Sequence, residues 1–351
     1  MTEIDNLHSA RRPGVLGVHS LDQFGLAMPD LAEAARFFGD FGLALRERPT
    51  GLQLQTAGSD HGWVTLSEGP RKALQFISFG AFADDLDRFR ERLTRLGIER
   101  IDPPQGVESN GLWFRDCDGI PVEIKVAEKT SPDAPADFRH APPPSAPPRN
   151  SPFRGTVGRV RPERLAHMLV FARDVGRSTA FYRDVLGLRL SDEVPGAVAF
   201  LHAVHGSDHH IIAFAKSDAP GLHHSSWYVG SVQDMGQGAS YMAERGYRQG
   251  WGLGRHVLGS NFFQYIRDPW GSYAEYSGGA DYIAADADWQ AEPQAEEDAF
   301  YLWGPSPPED FVFNYGSEAD VAHILAAYGK SSAAEPAATT GPSDSAPTPI
   351  A

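Results

Sequence analysis

The chain has 351 residues, 41% hydrophobic and 22% charged, with a net charge of −15 at pH 7 and one cysteine, Cys117. That length leaves room for two domains, and the composition is globular rather than disordered. A lone thiol excludes an intrachain disulfide framework and a thiolate metal cluster, and the acidic balance argues against nucleic acid or an anionic membrane as partner. The sequence has neither a long apolar run nor an apolar N-terminal segment to mark a membrane span or a secretory signal. A cytoplasmic protein with a small ligand is expected.

Strand-like runs are expected at 22–28, 73–79, 164–172 and 223–229, each leading into a helix. The helix over 82–96 carries Leu86, Phe89, Leu93 and Leu96 on one stripe and ends at Gly97. Its counterpart over 232–245 opens with a capping box from Ser231 to Asp234 and ends at Gly246. Further strands are expected at 197–203, 209–215, 261–267 and 272–277. Residues 131–152 hold eight prolines and read as a semi-extended linker. The 281–328 stretch is rich in aromatics, including Trp289, Phe300, Trp303 and Phe311, and should bury against something. Beyond about residue 330 no apolar period remains, and a disordered tail is expected.

The halves flanking the linker repeat each other. The run from Asp30 to Leu43 matches that from Asp174 to Leu188, and the run from Phe114 to Glu123 matches that from Ile266 to Glu275. Four strand–helix–multistrand modules, paired into two domains, follow.

Of 13 histidines, eight lie between His167 and His256. His167 shares a strand face with Leu165, Leu169 and Phe171, where an inward imidazole needs a hydrogen bond or a metal. His224 opens the equivalent strand of the next module, and Glu275 lies on a late strand where a buried carboxylate requires a partner or cation. Two histidines and one carboxylate are the ingredients of a facial triad on non-haem Fe(II). His202 and His205 read as packing residues.

The stretch Gly254-Arg-His256, then Gln264-Tyr265, Asp268-Pro269-Trp270-Gly271 and Glu275 resembles the signature of the type I extradiol ring-cleaving dioxygenases. These belong to the vicinal oxygen chelate superfamily. Only Gln264 departs from the pattern, standing where an apolar residue is usual. The resemblance covers roughly residues 14–284 and implies an α+β fold, with four βαβββ modules paired into two vicinal oxygen chelate barrel domains. The implied division is 14–128, a metal-free N-terminal domain; 129–162, linker; 163–284, catalytic domain; 285–329, aromatic extension; 330–351, tail. Implied metal ligands are His167, His224 and Glu275, with Fe(II) as cofactor and Mn(II) as the alternative ion. His256 and Tyr265 would hydrogen-bond the catecholate. His210 would transfer protons, with His209 as the alternative, while His223 reads as a bland neighbour of His224. Repeat alignment places Gln23 at the position of His167, Gln75 at that of His224 and Glu123 at that of Glu275, so the first half looks like a copy without metal. The implied partners are a catecholic substrate and O2, and the implied assembly is a homo-oligomer. A glyoxalase-like isomerase and a ligand-sequestering resistance protein are the alternatives. Neither needs the combination of His210, His256 and Tyr265.

Overall fold

The computed structural model describes residues 10–317 apart from 141–150, 152, 155 and 156, so the expected tail lies outside the described residues. The first module comprises β1 (Ser20–Met28), α1 (Leu31–Phe41), β2 (Ala44–Arg48), β3 (Gly51–Gln55) and β4 (Val64–Glu68). The second comprises β5 (Ala73–Ala81), α2 (Leu86–Arg95), β6 (Leu112–Arg115) and β7 (Pro121–Val126). Where this module's third strand is expected, Arg100 forms only an isolated bridge with Phe114. The third module has β8 (Arg164–Ala172), α3 (Val175–Leu186), β9 (Arg189–Val194), β10 (Val198–His202), a short β11 (Ser207–Asp208) and β12 (Ile212–Lys216). The fourth has β13 (Gly221–Tyr228), α4 (Val232–Glu244), β14 (Gly250–Arg255), β15 (Phe262–Arg267) and β16 (Tyr273–Gly278).

One mixed sheet forms per half. The first runs β2-β3-β4-β1-β5-β7-β6 and the second β14-β15-β16-β13-β8-β12-β10-β9. In each, the first strands of the paired modules lie side by side and antiparallel, β1 against β5 and β8 against β13. The repeat seen in the sequence is built from matching caps. Asp30 and Asp174 each accept the amide of the residue three further on, at 2.8 and 2.9 Å, satisfying orphan donors at the N-termini of α1 and α3. Ser231 caps α4 as expected, accepting from the Asp234 amide at 3.1 Å.

The halves share one core. Helix α1 lies against α4, where Phe41 stacks on Tyr276 with centroids 4.0 Å apart and Phe37 meets Tyr247 edge-on. Such aromatic pairs are worth about 0.5–1.5 kcal/mol beyond their area. Gly42 and Gly187 end α1 and α3 at positive φ, each pressed on chain that enters the other half. A Cβ at Gly42 would meet the Val160 carbonyl, and one at Gly187 the Leu16 carbonyl, at 2.3 Å in both cases. A side chain there would push the halves apart.

The proline-rich stretch is more than a spacer where it is described. Arg139 pairs with Ser231, and Phe138 lies against Phe262 and over Gly278, so this segment docks on the second half. Among the described residues no helix is long and apolar enough to cross a membrane.

Candidate metal centre

Three adjacent strands of the second sheet bring the triad together. His167 on β8 pairs in register with Ser226 on β13, and Ser226 in turn with Glu275 on β16. His224 lies two residues before Ser226 and so shares its face. The result is a buried cluster with His167 Nε2 3.2 Å from Glu275 Oε2, His224 Nε2 3.5 Å from the same oxygen, and the two imidazole nitrogens 3.3 Å apart. Ligand atoms about 2.0–2.2 Å from one ion sit roughly 2.8–3.1 Å apart at right angles and roughly 3.3–3.6 Å apart at tetrahedral angles, a range that contains all three separations. Glu275 Oε2 is buried without a hydrogen-bond partner, while Asn261 donates to Oε1 at 3.3 Å. An orphaned carboxylate oxygen facing two imidazole nitrogens fits a divalent cation. Among the described residues this is the one group of metal-ligating side chains that close.

The surroundings prepare the ligands. His223 Nε2 donates to the Phe311 carbonyl at 2.8 Å, which makes its Nδ1 an acceptor in the neutral ring. His224 Nδ1 lies 2.7 Å from that acceptor and donates to it, leaving Nε2 with its lone pair toward the triad. His223 is therefore no bland neighbour: it sets the tautomer of His224, a candidate ligand. Burial pushes the pKa of His223 down to about 4 and that of His224 well below the usual imidazole range, so both stay neutral.

His256 and Tyr265 flank the triad. The Phe300 carbonyl, 2.8 Å away, takes the Nδ1 proton of His256, and the Tyr265 hydroxyl donates to Nε2 at 3.0 Å. Burial and the nearby Glu275 carboxylate raise the Tyr265 phenol well above its ordinary value, and burial lowers His256. His210 stands over His167 with ring centroids 4.0 Å apart, its pKa driven far down by burial and by the surrounding imidazoles. It lies in the bend before β12 rather than within a strand. Strand alternation therefore does not separate it from His209, whose Nδ1 is 3.1 Å from His210 Nδ1.

The aromatic extension supplies both carbonyls just named. Phe311 is buried among Trp251, Tyr265 and Tyr273. Asp310 holds Arg267 of β15 through two contacts at 2.6 and 2.7 Å. In the signature turn, Asp268 accepts the amides of Trp270 and Ser272 and pairs with the buried Lys72 from the first half, fixing the β15–β16 hairpin that carries Tyr265 and Glu275. A cavity of about 470 Å³ opens between the halves beside Lys72, and none of the six candidate residues lines it. His202 bonds Ser191, and His205 bonds the Arg12 amide and the Gly17 carbonyl, so both are satisfied packing residues.

The first half departs from the expected alignment at one position. Gln23 pairs with Ser78 and Ser78 with Glu123, as His167 pairs with Ser226 and Ser226 with Glu275. Counting back two residues puts Phe76, not Gln75, at the position of His224. The register skips residue 75 in one half and 223 in the other, so Gln75 corresponds to His223. The Phe76 ring meets Trp113, which pairs with Glu123 as Tyr265 pairs with Glu275, at 5.5 Å. Ser78 donates to Glu123 at 2.5 Å and Ser109 donates to its other oxygen. Hydroxyls and aromatic rings occupy the place where the second half gathers its ligands.

Paired modules around a buried triad of two imidazoles and a carboxylate define a protein with a candidate site for one metal ion. The chain belongs to the glyoxalase/bleomycin resistance protein/dioxygenase superfamily, which it matches over residues 20–124 and 164–276. It is 47% identical over 299 residues to metapyrocatechase 2 of Cupriavidus necator, spanning 85% of this chain and 92% of that one. With a manganese-dependent 2,3-dihydroxybiphenyl 1,2-dioxygenase of Geobacillus genomosp. 3 the identity is 25% over 283 residues, 76% of this chain and 86% of the relative. The Mn(II)-bound glyoxalase of Novosphingobium aromaticivorans shares the fold, with a TM-score of 0.66 at 24% identity over 84% of this chain and 94% of that one.

Proposed function

We propose that this chain is an extradiol dioxygenase, opening a catechol ring beside its hydroxyls with both atoms of O2 retained in the product. One observation carries the reading. The triad with its orphaned Glu275 oxygen lies among three further groups able to hold or move protons: His210, His256 and Tyr265. A glyoxalase-like isomerase or a sequestering protein has no use for that set.

His167, His224 and Glu275 would hold Fe(II), with Mn(II) as the ion the same ligands also suit. When bound, the metal supplies an open face on which both catechol oxygens and dioxygen can meet. The residues do the rest. Tyr265 and His256, joined through Oη and Nε2, orient the substrate oxygens by hydrogen bonding and offset charge that develops there. His210, neutral in its buried setting, takes a catechol proton and returns one to the oxygen that departs as the O–O bond breaks. The aromatic wall of Trp251, Phe263 and Phe311 excludes water from this side. A cytoplasmic location and a homo-oligomer belong to the same reading, the latter to be checked by light scattering.

The test is anaerobic reconstitution with Fe(II), then with Mn(II), followed by a panel of catechol, methylcatechols, 2,3-dihydroxybiphenyl and homoprotocatechuate. A yellow ring-fission product at one metal per chain is expected. His210→Phe should keep the metal and lose about 10²–10⁴-fold in kcat. No ring-fission product with any catechol at full metal loading would overturn the reading.

A further inference from the structure

His210 does not stand alone. Its Nδ1 is 3.1 Å from His209 Nδ1, and His209 Nε2 is 2.8 Å from Asp192 Oδ2 on β9. A carboxylate only accepts, so the Nε2 proton of His209 points at Asp192 and its Nδ1 carries the lone pair in the neutral ring. Among the described residues the donor that faces that lone pair is the Nδ1–H of His210, 3.1 Å away. The proton of a neutral His210 is thereby placed on Nδ1, and Nε2 is left as the base. The opposite arrangement would set the His209 Nε2 lone pair against a carboxylate oxygen at 2.8 Å, two acceptors in hydrogen-bond contact.

The surroundings keep His209 in place. Its side chain is fully buried, while that of Asp192 is 14% exposed. Ser191 donates to the His209 carbonyl at 2.5 Å, and the His209 amide donates to the Asp281 carbonyl at 2.7 Å. Trp289 of the aromatic extension meets the His209 ring edge-on and donates to the Ser191 carbonyl at 2.7 Å. Phe200 packs edge-on against His210, and its backbone pairs with Asp192.

We propose that Asp192 and His209 are positioning residues that lock His210 in its Nδ1–H tautomer, so that Nε2 presents a lone pair to the catechol proton. The inference rests on the reading of His210 as the proton-transfer residue. The Asp192 carboxylate bonds His209, not the triad, and its effect is transmitted through two imidazoles. The arrangement parallels that at His224, where His223 plays the relaying part and the Phe311 carbonyl the terminal acceptor.

The experiment compares Asp192→Asn, Asp192→Leu, Asp192→Glu and His210→Phe in the Fe(II)-loaded enzyme, with catechol as substrate. Metal content, thermal midpoint, KM and kcat are read for each. Asparagine can donate to His209 Nε2 and reverse both tautomers, and leucine removes the acceptor. Both variants should hold one metal and keep KM within about 3-fold, while kcat falls about 10–100-fold. Asp192→Glu, which retains an acceptor, should restore most of the rate. A purely structural role would lower the midpoint and metal content together and would not separate glutamate from asparagine. If Asp192→Asn and Asp192→Leu keep full kcat while His210→Phe is slow, the positioning role is refuted and the reading of His210 survives. If His210→Phe also keeps full kcat, the proton-transfer reading falls and this inference with it.

Discussion

Glu275→Gln is the sharpest perturbation of the metal centre, because it changes charge and donor type without changing shape. In the wild type, Oε2 is buried, lacks a hydrogen bond and faces two imidazole nitrogens at 3.2 and 3.5 Å. An unsatisfied buried acceptor costs about 1–3 kcal/mol, and more when charged. The glutamine amide can donate to those nitrogens while its oxygen keeps the Asn261 contact. The metal-free variant should therefore be more stable than the metal-free wild type by about 1–3 kcal/mol. At roughly 1.4 °C per kcal/mol for a chain of 351 residues, that is a rise of about 1–4 °C in midpoint. Metal has the opposite effect on the comparison. An ion held at 100 times its Kd stabilises the wild type by about 2.7 kcal/mol, and the variant, lacking the anionic ligand, should gain almost nothing. Scanning calorimetry of both proteins, chelated and with added Fe(II) under argon, reads the crossing directly. A variant that still takes up one iron per chain, or whose chelated form melts below the wild type, would refute the assignment of Glu275.

Glu123→Ala should leave one metal per chain, since Glu123 is already bonded by Ser78 and Ser109, and should lower stability by about 1–3 kcal/mol by stranding both hydroxyls. Elemental analysis and urea unfolding measure the two effects. Asp310→Ala removes the forked partner of Arg267 and should cost about 1.5–3 kcal/mol. Limited proteolysis within 285–317 should quicken, and kcat should fall as the Phe300 and Phe311 carbonyls loosen from His256 and His223.

The triad was legible because its signal lies in residue type: His167, His224 and Glu275 are polar groups in apolar strands, and the signature spacing ties His256 and Tyr265 to Glu275. The paired modules were legible from Asp30 and Asp174, which recur because both are caps. What could not be read depends on register and on backbone. A two-residue period cannot foresee the irregularity that skips residues 75 and 223, so the counterpart of His224 was displaced from Phe76 to Gln75. The same irregularity brings His223 back against His224. His209 and His210 touch because they occupy a bend, where alternation does not apply. The carbonyls of Phe300 and Phe311 complete the centre through the main chain, and any residue could supply them. The aromatic content of the extension marked it for burial, which holds for Phe311 but not for Phe300 and Trp303, 37% and 43% exposed; Phe300 serves the candidate centre through its carbonyl and not through its ring.

Buried histidines away from the metal also leave a measurable trace. His19 is fully buried at the start of β1, with Nδ1 3.0 Å from Ser20 Oγ and the ring against Phe82. Burial, with Lys129 and His205 nearby, depresses its pKa to about 4. The unfolded chain binds this proton below about pH 6.5, whereas the folded chain does not until about pH 4. The contribution of His19 to stability is therefore complete above pH 6.5 and is lost progressively as the pH falls toward 4. At pH 5 linkage gives a loss of about 2 kcal/mol from this one residue. Urea unfolding of the chelated protein at pH 7 and pH 5 gives the wild-type difference, and His19→Asn, which cannot take up the proton, should shrink it by about that amount. Using chelated protein keeps loss of metal out of the comparison. Equal differences for wild type and His19→Asn would mean that His19 takes up its proton as readily folded as unfolded, and burial would not be what sets its charge.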